Sequence, residues 1–423
     1  MKEDFLHYLW KYQLFDISNL TTTQNESISI LKPGAHNLNS GPDFLNAKID
    51  IENQLWFGNV EIHLKSSDWY LHQHETDKNY DAVILHVVWE YDTDVFIKDN
   101  TPIATLELKN IVSKNVLNNY QKLSSKNTQW IPCEKELHTI DSFLLNNWLE
   151  RLYIERLEAK SKSIALLLKA SKNDWEAVLF QLLAKNFGLK LNGDSFLKLA
   201  KSIPFSTIRK ERNDLTKLSA LLFGQAGFLS ENVESSYHTE LRNEFKYLQH
   251  KYQLTPLSKH EFQFFRMRPS NFPTVRIAQL IALYHQHQNL FSTVINIETI
   301  ENLYMLFTIE VSEFWNSHFT FEKTSKRTKK KFTNLFLDLI FINTIIPLQF
   351  TYQKTTNSID EERLFEKMKG LKPEKNSIIL KFSELEIEAK NAFESQALLE
   401  LKNNYCASKR CLECAIGNKL LRS

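Results

Sequence analysis

Residues 41–65 read GPDFLNAKIDIENQLWFGNVEIHLK, and the fold of the first part of the chain turns on them. FLNAKIDI and LWFGNVEIHL are short runs rich in β-branched and aromatic residues, separated by the polar IENQ, the pattern of two strands joined by a tight turn. Side chains alternate along a strand, so Glu61, His63 and Lys65 share one face while Val60, Ile62 and Leu64 take the other. Pairing the two runs through a turn at residues 52–54 sets Asp43 at the far end of its strand, level with residues 61–65 of the partner. Four polar groups then converge.

Upstream, MKEDFLHYLWKYQLF predicts a helix over residues 2–15, with Phe5, Leu9, Trp10, Tyr12 and Leu14 on its apolar face. ISIL before the hairpin, and AVILHVVWEY and PIATLEL after it, bring the expected strands to five; residues 66–81, with Trp69, Tyr70, His72 and His74, predict a loop or short helix between the third and fourth. From residue 139 the period turns helical, beginning TIDSFLLNNWLERLYIERLEAKSKSIALLLKA, and breakers such as Gly188, Pro204, Gly224, Pro256, Pro273, Pro347 and Pro373 divide the rest into about eight to ten helices. The expected fold class is α+β: a small mixed α/β sheet domain over residues 1–125, a larger all-α domain over 139–400, and a cysteine-bearing tail over 401–423.

Composition narrows the function. The 423 residues, 43% hydrophobic and 24% charged with 9 glycines and 10 prolines, are those of a globular chain, not a disordered one. A net charge of +2, from 52 basic and 50 acidic residues, means that attraction to nucleic acid must come from local patches. The first residues lack a signal peptide's basic start and apolar run, and the most apolar segment, residues 336–348, is interrupted by Asp338, Asn343 and Pro347. A soluble, cytoplasmic protein is expected.

Carboxylates placed side by side repel one another unless a hard divalent cation joins them, and such an ion suits phosphoryl chemistry. Asp43 and Glu61 are therefore the expected ligands of Mg2+ or Mn2+, His63 the base or third ligand, and Lys65 the cation that stabilises the transition state. His74, Asp77 and Tyr80 are expected to line the pocket. His86, on an apolar run, reads as a core histidine bonded to a backbone carbonyl. Another arrangement makes His63, His72 and His74 ligands of zinc or another transition metal.

Pro42-Asp43 followed by Glu61-Ile62-His63, after a first helix and within a β-meander, resembles the PD-(D/E)XK nuclease superfamily over about residues 3–110. The resemblance implies metal-dependent hydrolysis of DNA or RNA phosphodiesters, with Asp43 and Glu61 as the acidic motifs and Glu3 as an auxiliary acid. His63 stands where the superfamily usually has lysine, and Lys65 lies two residues further on. The longer pattern, from GPDFLNAKI through GNVEIHLKSSDWYLHQHETDKNYDAVILHVVW to the tail, also resembles an uncharacterised bacterial family of unknown function spanning the whole chain. Two other functions fit the residues: a non-catalytic nucleic-acid or protein-binding module that keeps the fold, and a histidine-rich zinc hydrolase.

The four cysteines are Cys133, after Ile131-Pro132, and Cys406, Cys411 and Cys414 in the tail, the complement of a tetrahedral Zn2+ or a 4Fe-4S cluster. This quartet is similar to the iron-sulfur staple of some nucleases of the same superfamily, although Cys133 follows the acidic motifs where those proteins place a cysteine before them. In the helical half, Arg266, Arg268 and Arg276 punctuate a Phe- and Pro-rich loop entering a helix, a candidate contact for nucleic-acid phosphates, and residues 323–331, KTSKRTKKK, form a denser cationic run. The glycines of LFGQAGF, residues 222–228, predict close helix packing and no nucleotide loop.

Overall fold

The structure is a computed structural model and describes residues 1–125 and 129–423. The chain is mixed α+β and divides into two compact units, residues 1–148 with 400–423, and residues 149–399.

The first unit opens with helix α1 (Glu3–Tyr12), which buries Phe5, Leu6, Leu9 and Trp10 and stops at Gln13, whose left-handed conformation caps the carbonyls of Leu9 and Trp10. Tyr12 falls outside the buried face and is 40% exposed. The five expected strands are present as β2 (Ser27–Lys32), β4 (Phe44–Ile51), β5 (Gln54–Lys65), β6 (Val83–Glu90) and β7 (Thr105–Glu107), joined by the two-residue strands β1 (Leu20–Thr21) and β3 (Ala35–His36). One sheet holds them in the order β1-β2-β4-β5-β6-β7, with β3 beside β4. Strands β2, β4 and β5 run antiparallel, whereas β5, β6 and β7 run parallel. The β4–β5 turn places Glu52 and Asn53 at φ 52° and 62°, the two left-handed positions that match strand twist in a two-residue hairpin.

A parallel β5–β6 pair needs a crossover, and residues 66–81 provide one from the four-residue helix α2 (Asp68–Leu71) and two 3-10 turns. Trp69 is fully buried beneath it, with its indole N–H donating to the Phe96 carbonyl at 3.1 Å. The crossover covers the polar face of β5, so both faces of that strand are buried: Val60 and Ile62 on one, Glu61 and His63 on the other.

The second unit is helical, and its pieces are shorter than expected. Phe205–Glu211, Leu290–Ile295, Ile300–Leu306 and Glu313–Asn316 each make two turns or fewer. Asp174, Asp214 and Asp360 start their helices by accepting the backbone N–H three residues on. Gly224 lies against the Phe245 ring, where a Cβ would come within 2.1 Å, which is the close helix packing read from the glycines. Helical structure continues from Asn334 to Thr355 through a π-helical turn, Phe341–Ile345, that loosens the backbone just before Pro347, whose missing N–H would interrupt a regular helix. Contrary to the expectation for residues 336–348, this span is long and apolar enough to cross a membrane by length and composition. However, 72% of its apolar window is buried inside the protein, as in a core helix.

Gly58 is a tight point of the sheet: a Cβ there would lie 2.4 Å from Ile84 Cγ2 and 2.6 Å from the Ala82 carbonyl oxygen. Gly58→Val should therefore push β5 from β6 and destabilise the chain by about 2 kcal/mol, read as a lowered midpoint in urea denaturation, whereas a neutral result would mean that the two strands pair less closely.

Candidate metal centre

Two irregularities in β4 bring Asp43 to its place. Gly41, at φ 99°, turns the chain, and Asn37 ties the loop by donating from its side chain to the Pro42 carbonyl at 3.0 Å while its backbone N–H reaches the Asp43 carbonyl at 2.7 Å. A register shift between Phe44 and Ala47, with Asn46 at φ 57°, then bulges the strand and re-aims the residue before it. Phe44 pairs with Val60, so Asp43 lies beside Glu61. The two acids are cross-linked through the backbone: the Asp43 N–H donates to Glu61 Oε2 at 3.1 Å, and the Ile62 N–H donates to Asp43 Oδ2 at 3.0 Å.

Imidazoles close around this pair. His63 Nε2 lies 3.5 Å from Glu61 Oε1 and 3.1 Å from His72 Nδ1, and His74 Nε2 lies 3.3 Å from Glu61 Oε1. The ligand atoms of His63, His72 and His74 all fall within 4.8 Å of one another. On the helix side, His7 Nε2 stands 3.2 Å from Asp43 Oδ2. Tyr80 stacks on His74 with centroids 3.7 Å apart, and Trp69 packs edge-on against the same ring. Exposure rises outward from 1% at His63, through 11% for the His74 side chain, to the exposed His72, so the cluster opens to solvent at one end.

His86 is fully buried, but it is not bonded to a carbonyl as expected. Parallel pairing of β5 with β6 sets it opposite Glu61, and its Nε2 meets His63 Nδ1 at 2.9 Å. If Nδ1 of His63 donates to His86, its Nε2 lone pair is left aimed at His72, His74 and Glu61. Such a buried partner on the far nitrogen is how a ligating histidine is usually held.

Burial raises Glu61, and pushes Glu3 up to about 7; for Glu3, His7 opposes while Asp43, Glu61 and Asp68 add to the rise. Burial and the neighbouring histidines His72, His74 and His7 lower His63 to about 3, and burial lowers His86 well below the ordinary imidazole range. Without a cation, then, burial disfavours charge on Glu3, Glu61, His63 and His86, whereas Asp43 beside it raises His7. A divalent ion reverses the preference for the acids and accepts the neutral imidazoles as they stand.

The other expected residues make no hydrogen bond or ion pair with this cluster among the described residues. Lys65 is exposed at the end of β5, where its charge bears on Asp92, and among the described residues its ammonium pairs with neither Asp43 nor Glu61. Asp77 is exposed and caps a 3-10 turn by accepting the Asn79 N–H. In the second unit Arg266 and Arg268 are exposed. Arg276 is buried, with its guanidinium 3.6 Å over the Phe336 ring and bonded to Asn271 and Gln279, which occupies it internally. In the cationic run, Lys330 is buried over Phe319, and Arg327 and Lys329 pair with Glu313 and Glu310. Cys133, Cys406, Cys411 and Cys414, all unpaired thiols, line one cavity of the first unit.

A family model described as a protein of unknown function, DUF2851, matches residues 3–377. The chain belongs to this family. The DUF2851 match takes in every acid and imidazole of the cluster and Cys133, and stops before the tail cysteines. No curated protein and no solved structure is significantly similar to the chain.

Because His63 is held neutral, acidification lets the unfolded chain bind a proton that the folded chain refuses, so stability is lost as pH falls from 6.5 toward about 3. Metal-free DUF2851 protein should lose about 2 kcal/mol between pH 6.5 and roughly pH 5. Denaturation curves at the two values measure this, and His63→Gln should flatten the dependence; equal slopes in both proteins would contradict the burial of a neutral ring.

Proposed function

We propose that the first unit is a metal-dependent phosphodiesterase acting on nucleic acid, with its ion held by Glu61, His63, His72 and His74. One observation carries the reading: the spacing of the donor atoms. Two ligands about 2.1 Å from one ion lie about 3.0 Å apart when at right angles and about 3.4 Å apart when tetrahedral. The separations of 3.1, 3.3 and 3.5 Å that link His63, His72, His74 and Glu61 in turn match those of neighbouring ligands, and the three imidazoles, with all ligand atoms within 4.8 Å of one another, are the tightest set. Imidazole-rich donor sets favour Mn2+ or Zn2+ over Mg2+.

The order of elements supports the choice of substrate. A helix bearing Glu3, a meander with one acid entering its second long strand and the other on its third, and a further strand parallel to the third follow the order the PD-(D/E)XK resemblance implies, with the four-residue α2 and two 3-10 turns where that resemblance has a helix. A divalent ion in this place would polarise a phosphoryl oxygen and make an attacking water more acidic. Glu61 positions the ion side, and Asp43, clamped by the Ile62 N–H, turns its carboxylate toward His7 at the entrance from α1. Glu3, raised to about 7 mainly by burial, would be the group on α1 that exchanges a proton with the attacking water or the leaving oxygen. The three imidazoles also support a second reading, a zinc hydrolase of small esters or amides.

Demetallated protein supplied with Mn2+, Zn2+ or Mg2+ should cleave single- or double-stranded DNA or RNA best with Mn2+. Asp43→Ala and Glu61→Ala should each cost roughly 100-fold or more. Lys65→Ala, at an exposed strand end, should change the rate only a few-fold. Cleavage confined to small esters with zinc would favour the second reading. Nucleic-acid binding that survives both acid substitutions without any cleavage would make the unit a binding module.

A further inference from the structure

The cysteine cavity lies apart from the histidine cluster, and nothing in the proposed chemistry uses it. Its sulfurs come from elements far apart in sequence. Cys133 sits in the turn in which the Glu134 N–H bonds the Ile131 carbonyl; Cys406 ends the π-helical turn Leu401–Cys406; Cys411 opens a single 3-10 turn, and Cys414 caps the helix Ala415–Arg422. All four line one space of about 370 Å³, open mouth included, whose other walls include Leu123, Ile131, Leu137 and Leu401.

Three details of this pocket go beyond packing. First, the chain's whole complement of four cysteines faces one space without forming a disulfide. Second, the indole of Trp148 and the backbone N–H groups of Ile416 and Gly417 are directed at the Cys414 sulfur, donors that suit a thiolate at a helix start. Third, Gly417 is compelled: a Cβ there would lie 2.1 Å from the Cys411 carbonyl oxygen, so only glycine lets the last helix bring Cys414 and Cys411 together.

We infer that Cys133, Cys406, Cys411 and Cys414 ligate a metal centre that fastens the tail to residues 131–137 of the first unit. Thiolates on a single zinc ion lie about 3.8 Å apart. Among the described residues the group with all ligand atoms within 4.8 Å is the histidine one, so the thiols span more than a single zinc ion needs, a span that a four-iron cluster with one thiolate on each iron accommodates. The centre is a clamp, independent of the phosphodiesterase proposal, and its loss frees the tail without removing a ligand from the histidine site.

The full-length protein, purified without oxygen, should carry about four irons and four acid-labile sulfides per chain, with a broad absorption band in the visible. One equivalent of zinc instead would uphold the thiolate centre and overturn its assignment as a cluster. Protein that takes up neither metal on reconstitution, with four thiols reacting at once with a thiol reagent, would overturn the inference outright. Cys406→Ser and Cys133→Ser should each lose the metal and speed amide exchange in residues 415–422 at least tenfold, while Mn2+ binding at the histidines stays unchanged. Should either variant fail to fold, metal content and thiol reactivity of the unaltered protein still decide.

Discussion

Burying a carboxylate and an imidazole two residues apart on a central strand is the constraint on which the rest of the first unit depends. Glu61 is 5% and His63 1% exposed, and leaving such groups uncompensated in a protein interior costs several kcal/mol. The surroundings answer that cost group by group. The Asp43 N–H satisfies Glu61, the Ile62 N–H satisfies Asp43, and His86 meets His63. The bulge at Asn46 and the close β5–β6 approach at Gly58 are the backbone features that let those partners reach.

The crossover shows the same logic. A parallel pair of strands is usually joined by a full helix, but here residues 66–81 form a short helix and two 3-10 turns. The irregular path hangs His72 and His74 over the polar face of β5 and anchors them by the buried Trp69 and by Tyr80 stacked on His74. Local regularity is given up where donor atoms are needed, and the adjoining β5–β6 pairing keeps a regular register only from Val60 and Leu85 onward, after a shift at Asn59.

Much of this was legible in the sequence because it rests on local rules. Period-two alternation finds the five strands, and the hairpin register sets Asp43 roughly level with residues 61–65; the bulge between Phe44 and Ala47, which the sequence does not announce, brings it beside Glu61. What escaped depends on non-adjacent elements. His86 read as a lone core histidine because the partner that gives it meaning comes from the parallel register with β5. His7 carries a faint signal, since it stands four residues from Glu3 and so shares its face on the amphipathic first helix. Lys65 was drawn into the site by alternation alone, but the strand ends there in solvent. Arg276 read as a phosphate contact because sequence gives charge, not burial; in the fold its guanidinium lies over Phe336.

The central claim is that imidazole nitrogen and carboxylate oxygen share one ion between β5 and the crossover. Pulsed electron paramagnetic resonance of the protein with one equivalent of Mn2+ tests it most directly, because directly bound imidazole imprints nitrogen couplings on the metal signal. The account predicts such couplings in the unaltered protein and their weakening in His74→Ala. Mn2+ that remains hydrated in solution, or that binds with oxygen ligands alone, would contradict it.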